Sequence, residues 1–208
     1  MLMFKIRHVG TRHVPRKGPA LLVSNHQSFM DPPLVGMPLS RECCFMARDS
    51  LFRNPLFTWL IVKLNAFPVS RNTADISAIK KSLRLLKQGK IVVLFPEGTR
   101  TNNGKIQPML PGFCGIAKKT KVPIIPTLID GAFQAWPRNR LLPRPGRIIV
   151  EYAPPIRPNQ YQNLTAEQMM EQIRNRIIAM QYHWHSRLPQ QRLEWYGSCN
   201  EQNDIIRS

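Results

Sequence analysis

The chain has 208 residues, enough for one domain that buries roughly 70% of the surface its unfolded form exposes. Thirty Lys+Arg against twelve Asp+Glu give a net charge of +18, more one-sided than solubility requires. That leaves three acidic partners: nucleic acid, an anionic membrane surface or phosphorylated substrates. The bases are spread along the whole chain, and neither paired Cys/His finger spacings nor aromatic-rich RNA-binding strands are present, so nucleic acid is set aside.

Taken in chain order, strands are expected at 4–9 and 20–24, the second an apolar Ala20-Leu21-Leu22-Val23-Ser24 run. Asn25-His26-Gln27-Ser28-Phe29-Met30-Asp31 follows at once, and Asp31-Pro32-Pro33 opens a helix with proline in its first turn. A loop of this length can fold the Asp31 carboxylate back onto the His26 imidazole Nδ1 and leave Nε2 as a proton acceptor, which is what general-base catalysis needs. Such a spacing means little in isolation. A strand at 42–47 carries Cys43 and Cys44 on opposite faces. Residues 51–65 form a helical stripe (Phe52, Leu56, Leu60, Leu64) with Trp59 and flanking Arg53 and Lys63; it suits a membrane interface or a helix packed on a sheet.

After a strand at 66–69, a helix is expected from Thr73 to Gln88, with Asp75 in its first turn and Gly89 as its stop. The strand 91–95 runs into a second polar cluster, Phe95-Pro96-Glu97-Gly98-Thr99-Arg100. Carboxyl ends of strands in open α/β sheets are where ligands bind, Gly98 permits a tight turn, and Arg100 offers a fork of donors suited to phosphate. Read alone, the cluster is an ordinary surface turn. Strands follow at 124–129, where Pro123 and Pro126 predict partial pairing, and at 147–152; the proline- and arginine-rich 132–146 between them reads as a loop. A helix from Thr165 to about His185 starts at a Thr165/Gln168 capping box and turns Ile173, Ile177 and Met180 inward. The fold class is thus α/β: one domain over 1–188, a mostly parallel or mixed central sheet flanked by helices, and a mobile tail at 189–208.

Other sites are weaker. His183 and His185 lie two apart on a helix and do not share a face, so no metal site is expected. Ser24 or Ser28 could serve as a nucleophile for His26, but there is no Gly-x-Ser-x-Gly elbow. Cys43, Cys44, Cys114 and Cys199 form no disulfide framework, the N-terminus lacks a signal-peptide core, and no apolar run approaches the ~20 residues of a spanning helix. The expected setting is a reducing one, the cytoplasm or the cytoplasmic side of a membrane.

In this order and about 70 residues apart, the two polar clusters resemble the 1-acyl-glycerol-3-phosphate acyltransferase family, glycerolipid acyltransferases with an Asn-His-x4-Asp motif. Four blocks carry the resemblance: Asn25 to Asp31, Phe67-Pro68-Val69-Ser70-Arg71, Phe95 to Arg100, and Val122-Pro123-Ile124-Ile125-Pro126-Thr127. The first and third are the specific ones. Asn65 and Ser70 stand where many relatives carry glycine and aspartate, Leu110 replaces a common lysine, and the hydrophobic membrane segment that begins many members has no counterpart.

The resemblance implies direct acyl transfer. His26 takes the proton of an acceptor hydroxyl and Asp31 holds its tautomer. Asn25 and loop N–H groups orient the reactants. Arg71, Glu97, Gly98, Thr99 and Arg100 form the acceptor-phosphate site, with Glu97 orienting Arg100, Arg71 or a substrate hydroxyl. Substrates would be a lysophospholipid, foremost 1-acyl-glycerol-3-phosphate, and an acyl-CoA or acyl carrier protein thioester. No metal or redox cofactor is implied. The enzyme would attach peripherally to an anionic membrane surface. The alternatives are another lysolipid acceptor, a CoA-independent transacylase, or a non-catalytic basic module that binds membranes or nucleic acid.

Overall fold

A computed structural model describes residues 4–53, 55–69 and 75–187. Seven strands form one mixed sheet: β1 (Phe4–Val9), β2 (Ala20–Ser24), β3 (Cys43–Arg48), β4 (Ala66–Val69), β5 (Ile91–Leu94), β6 (Ile124–Asp130) and β7 (Gly146–Tyr152), ordered β1-β7-β6-β2-β5-β3-β4. The strands from β6 to β4 run parallel, whereas β7 is antiparallel to β6 and carries β1 parallel to itself. Every residue of β2 and β5 is buried. Their unbroken apolar runs are what a parallel strand covered on both faces requires.

The helices are α1 (Asp31–Gly36), α2 (Pro55–Lys63), α3 (Ile76–Lys87), α4 (Gly112–Thr120), α5 (Ala132–Ala135), α6 (Pro158–Tyr161) and α7 (Ala166–His185). Alternation along the strands divides the core in two. Leu21, Val23, Val92 and Leu128 pack with α3, α4 and α7 through Leu86, Phe113, Ile116, Ile173 and Ile177. Ala20, Leu22, Val93 and Ile129 pack with α1 and α5 through Leu34, Val35, Ala132 and Ala135. Cys43 and Cys44 face opposite sides, as the period-two pattern predicts. Burial pushes the Cys43 thiol up to about 12 and the Cys114 thiol up to about 11, so neither is a ready nucleophile.

Three differences from the sequence expectations have local causes. Pro126 does not interrupt β6: its carbonyl accepts from Ala153 N–H on the β7 side, so its missing N–H falls where the β6–β7 ladder ends, and pairing with β2 continues. The 132–146 loop begins with the short α5, entered through Gly131 at φ 87°, where a Cβ would collide with the Arg147 carbonyl. The helix α4 was not expected, because Gly112 and Gly115 weaken its helical signal; burial of Phe113, Cys114, Ile116 and Ala117 overrides propensity.

Asn65 adopts φ 55°. Asparagine is among the few residues that tolerate the left-handed region, which accounts for its suiting a position where the resemblance leads one to expect glycine. The capping box of α7 is present, and at the other end of that helix Gln181 and His185 bind the two carboxylate oxygens of Asp130 at 2.9 and 3.0 Å. His185 is therefore a core histidine. Among the described residues, no helix is long and apolar enough to cross a membrane. The expected tail at 189–208 lies outside the described residues.

Candidate active site

The loop between β2 and α1 is built around one carboxylate oxygen. Asp31, buried in the first turn of α1, accepts through Oδ2 the backbone N–H groups of Gln27 at 2.5 Å and Ser28 at 2.8 Å, and the same oxygen lies 2.7 Å from His26 Nδ1. An ionised carboxylate can only accept, so this contact assigns the imidazole proton to Nδ1 and leaves Nε2 with its lone pair. Nε2 makes no hydrogen bond within the described residues, and the His26 side chain is 20% exposed. A part-exposed imidazole oriented by a buried carboxylate is the geometry of a general base.

The second cluster holds the same histidine from below. Phe95 stacks on the imidazole at 4.4 Å between centroids. The His26 backbone N–H donates to Glu97 Oε1 at 3.2 Å, and its carbonyl accepts from Thr101 N–H at 2.8 Å. Glu97 thus ties the end of β5 to the β2–α1 loop through Oε1, a contact the sequence did not point to; Arg71, one of the groups it was expected to orient, lies outside the described residues. Burial pushes its carboxyl up to about 8; backbone donors from His26 and Gln107 oppose the rise, and the Asp31 carboxylate adds to it. Its Oε2 is buried without a hydrogen-bond partner. Arg174 on α7 donates to the carbonyls of Ile106 and Gln107, which steadies the strand-to-helix connection behind Glu97.

Asn25 also departs from expectation. Its Nδ2 donates to the Ile129 carbonyl and its Oδ1 accepts the Ile129 N–H, both at 2.8 Å, in a buried position. The amide thus imitates one more residue of β2–β6 pairing, with both its polar atoms used within the sheet. The hydroxyls of Ser24 and Ser28 donate to the carbonyls of Asn25 and Trp136, so neither is coupled to His26 as a nucleophile.

Gly98 closes a turn onto the Phe95 carbonyl at φ 68°, and a Cβ there would stand 3.0 Å from Leu110 Cδ1. Thr99 is half-buried in that turn. The Arg100 guanidinium lies 3.4 Å above the Phe29 ring, three residues from His26 in sequence. The second and third of the resembling blocks were both expected to supply phosphate ligands; Arg71 lies outside the described residues, and Arg100 is brought to the catalytic loop.

Three contributors were not singled out by the sequence: Gln27 inside the first motif, Thr101 just after the second, and Trp136 far from both. Gln27 bridges by side chain to the Gly104 carbonyl and the Phe133 N–H. Thr101 holds the His26 carbonyl, and Trp136 lies 6.3 Å from the Phe29 ring while its carbonyl takes the Ser28 hydroxyl. Among the described residues, no group of three or more His, Cys, Asp or Glu side chains is placed to hold a metal ion.

Comparison with known proteins is consistent with this arrangement. A 1-acyl-sn-glycerol-3-phosphate acyltransferase of Cocos nucifera is 32% identical over 157 residues, which are 74% of this chain and 51% of the relative. The chain thus spans about half the length of that relative, and 35% of a chloroplastic one from Brassica napus. A 1-acyl-sn-glycerol-3-phosphate acyltransferase of Bacillus subtilis is 28% identical, with 79% of this chain and 82% of the relative aligned. The crystal structure of the 1-acyl-sn-glycerophosphate acyltransferase PlsC from Thermotoga maritima superposes with a TM-score of 0.79 at 26% identity, covering 91% of this chain and 76% of that one. The Acyltransferase family model matches residues 5–130, a span holding both β2–α1 and β5–α4 connections, and the chain belongs to that family.

Proposed function

We propose that the protein transfers a fatty acyl group from a thioester donor to the free hydroxyl of 1-acyl-glycerol-3-phosphate, giving phosphatidic acid. The single observation that carries this reading is the 2.7 Å contact of His26 Nδ1 with buried Asp31, in a loop that also receives Arg100. The names of the relatives support the choice of acceptor.

His26 Nε2 takes the hydroxyl proton as the oxygen attacks the thioester carbonyl. Asp31 stabilises the imidazolium that forms, with a charge-assisted contact in a buried setting. The C–S bond then breaks, the acyl group stays on the acceptor oxygen, and the imidazolium returns its proton to the departing thiolate. The thioester is itself the activated species, so the chain's own groups carry each proton transfer. Arg100, with Gly98 and Thr99 shaping the turn and Arg71 as its expected partner, holds the acceptor phosphate. The +18 charge draws the protein to an anionic membrane surface, where such an acceptor resides.

Labelled acyl-CoA and acyl carrier protein thioesters, each offered with lysophosphatidic acid and with other lysolipids, test the reading. Phosphatidic acid is the expected product. No acyl transfer to any acceptor, together with a DNA gel shift, would favour the non-catalytic alternative.

A further inference from the structure

The segment from Trp136 to Arg144 presents apolar side chains straight to solvent. Leu141 is 88% exposed and Leu142 72%, at the tip of a loop whose Arg138, Arg140 and Arg144 are exposed as well. Adjacent exposed leucines rimmed by cations fit a partner with an apolar interior and an anionic surface. The tip is also held stiffly. The base of the loop is closed by Arg144, whose backbone N–H donates to the Ala135 carbonyl at 2.9 Å and whose Nε donates to that of Gln134 at 2.6 Å. Trp136 Nε1 donates to the Arg140 carbonyl at 3.1 Å, and Pro137 and Pro143 restrict the backbone on either side of the tip. A loop ordered in advance loses little conformational freedom on docking.

This loop is fastened to the catalytic one. The Ser28 hydroxyl donates to the Trp136 carbonyl at 2.9 Å, and the Trp136 ring lies beside Phe29, over which Arg100 is stacked. Trp136, Phe29 and Arg100 therefore link the base of this loop to the loop that carries His26. A second exposed apolar element, α2 with Trp59 and Val62, packs at the β4 edge of the sheet, beyond β5 and β3.

We propose that Leu141 and Leu142 insert into the interfacial layer of an anionic bilayer, with Arg138, Arg140 and Arg144 on lipid phosphates, and so turn the β2–α1 loop that carries His26 toward the membrane. This rests on the reading of the acceptor as a lysophospholipid. It assigns orientation to the 136–144 loop, and the leucines supply a contribution that salt does not screen, whereas the arginines supply one that it does.

The test compares the full chain with L141S/L142S and R138Q/R140Q on vesicles of phosphatidylcholine with and without phosphatidylglycerol, with circular dichroism on each variant. L141S/L142S should weaken binding to the anionic vesicles on the order of tenfold or more, the loss expected for two leucines withdrawn from an apolar layer. It should lower acylation of vesicle-borne long-chain lysophosphatidic acid in parallel and leave turnover of a short-chain, water-soluble acceptor unchanged. A dye on Leu141→Cys in a Cys199→Ser background, with labelling of the Cys199→Ser chain alone as the blank, should shift its emission to the blue on anionic vesicles. Vesicle affinity equal to the parent, or an unshifted dye, overturns the proposal. A dimer that L141S/L142S dissociates, with vesicle affinity unchanged, assigns the tip to a second copy and overturns it too. Weakened vesicle binding in a protein that acylates neither acceptor would instead sink the proposed reaction and leave the docking surface standing.

Discussion

His26 is restrained at four points and open at Nε2: Nδ1 is held by Asp31, the ring face by Phe95, the N–H by Glu97 and the carbonyl by Thr101. Such restraint matters because small displacements of a reacting group cost large factors in rate. Asp31→Asn keeps the shape but removes the charge that stabilises the imidazolium, so kcat should fall by about 10²–10⁴-fold, with a smaller effect on KM. Steady-state kinetics with both substrates varied checks that split. Glu97 makes a separate prediction about stability. An unfolded glutamate ionises near ~4.3, whereas burial pushes this one up to about 8. Between those values the folded protein binds the extra proton, so stability falls as pH rises through the window and levels off above it. Glu97→Gln can still accept the His26 N–H and has no proton to lose; its melting temperature should gain on the parent from pH ~5 to ~8. Parallel melting curves for the two proteins across that range would contradict the assignment. The His26–Asp31 pairing was legible because both partners lie in one short motif. The roles of Asn25 and Glu97 were not, since their partners are backbone groups of Ile129 and His26, 104 and 71 residues away.

At the level of elements, the site forms where the carboxyl ends of β5, β2 and β6 lie side by side, each delivering one of its loops. Central parallel strands show themselves as short apolar runs, and the long helices α3 and α7 as 3.6-residue stripes with caps, so these were readable with their boundaries nearly right. The helices α4 and α5 were not: one carries two glycines, the other is four residues long, and both exist because of what they bury. Helix α7 should behave as a structural beam. Ile177→Ala, at a fully buried position against the sheet, should cost about 2–4 kcal/mol in denaturant unfolding. Thr165→Ala, which removes the capping hydroxyl bonded to Gln168 N–H, should cost about 1 kcal/mol. Equal losses from the two would mean that packing of α7 contributes less than its burial indicates.

Over the whole molecule, the proposed function has charge and apolar exposure divide the work of reaching a lipid substrate. The +18 charge acts at a distance and is screened by salt; the exposed leucines of the 136–144 loop act only in contact. Binding to anionic vesicles should therefore weaken as salt rises to several hundred millimolar, on the order where the screening length becomes a few ångströms. Co-sedimentation across a salt series reads this directly, and equal binding to neutral and anionic vesicles would remove the electrostatic part. At the heart of the proposed reaction, one imidazole, oriented by one buried carboxylate, moves the proton in acyl transfer to lysophosphatidic acid. Turnover of His26→Ala with acyl-CoA and lysophosphatidic acid tests it most directly. The expected result is a kcat lower by at least ~10²-fold in a protein whose circular dichroism and melting temperature match the parent. Near-parental turnover by that variant would contradict it.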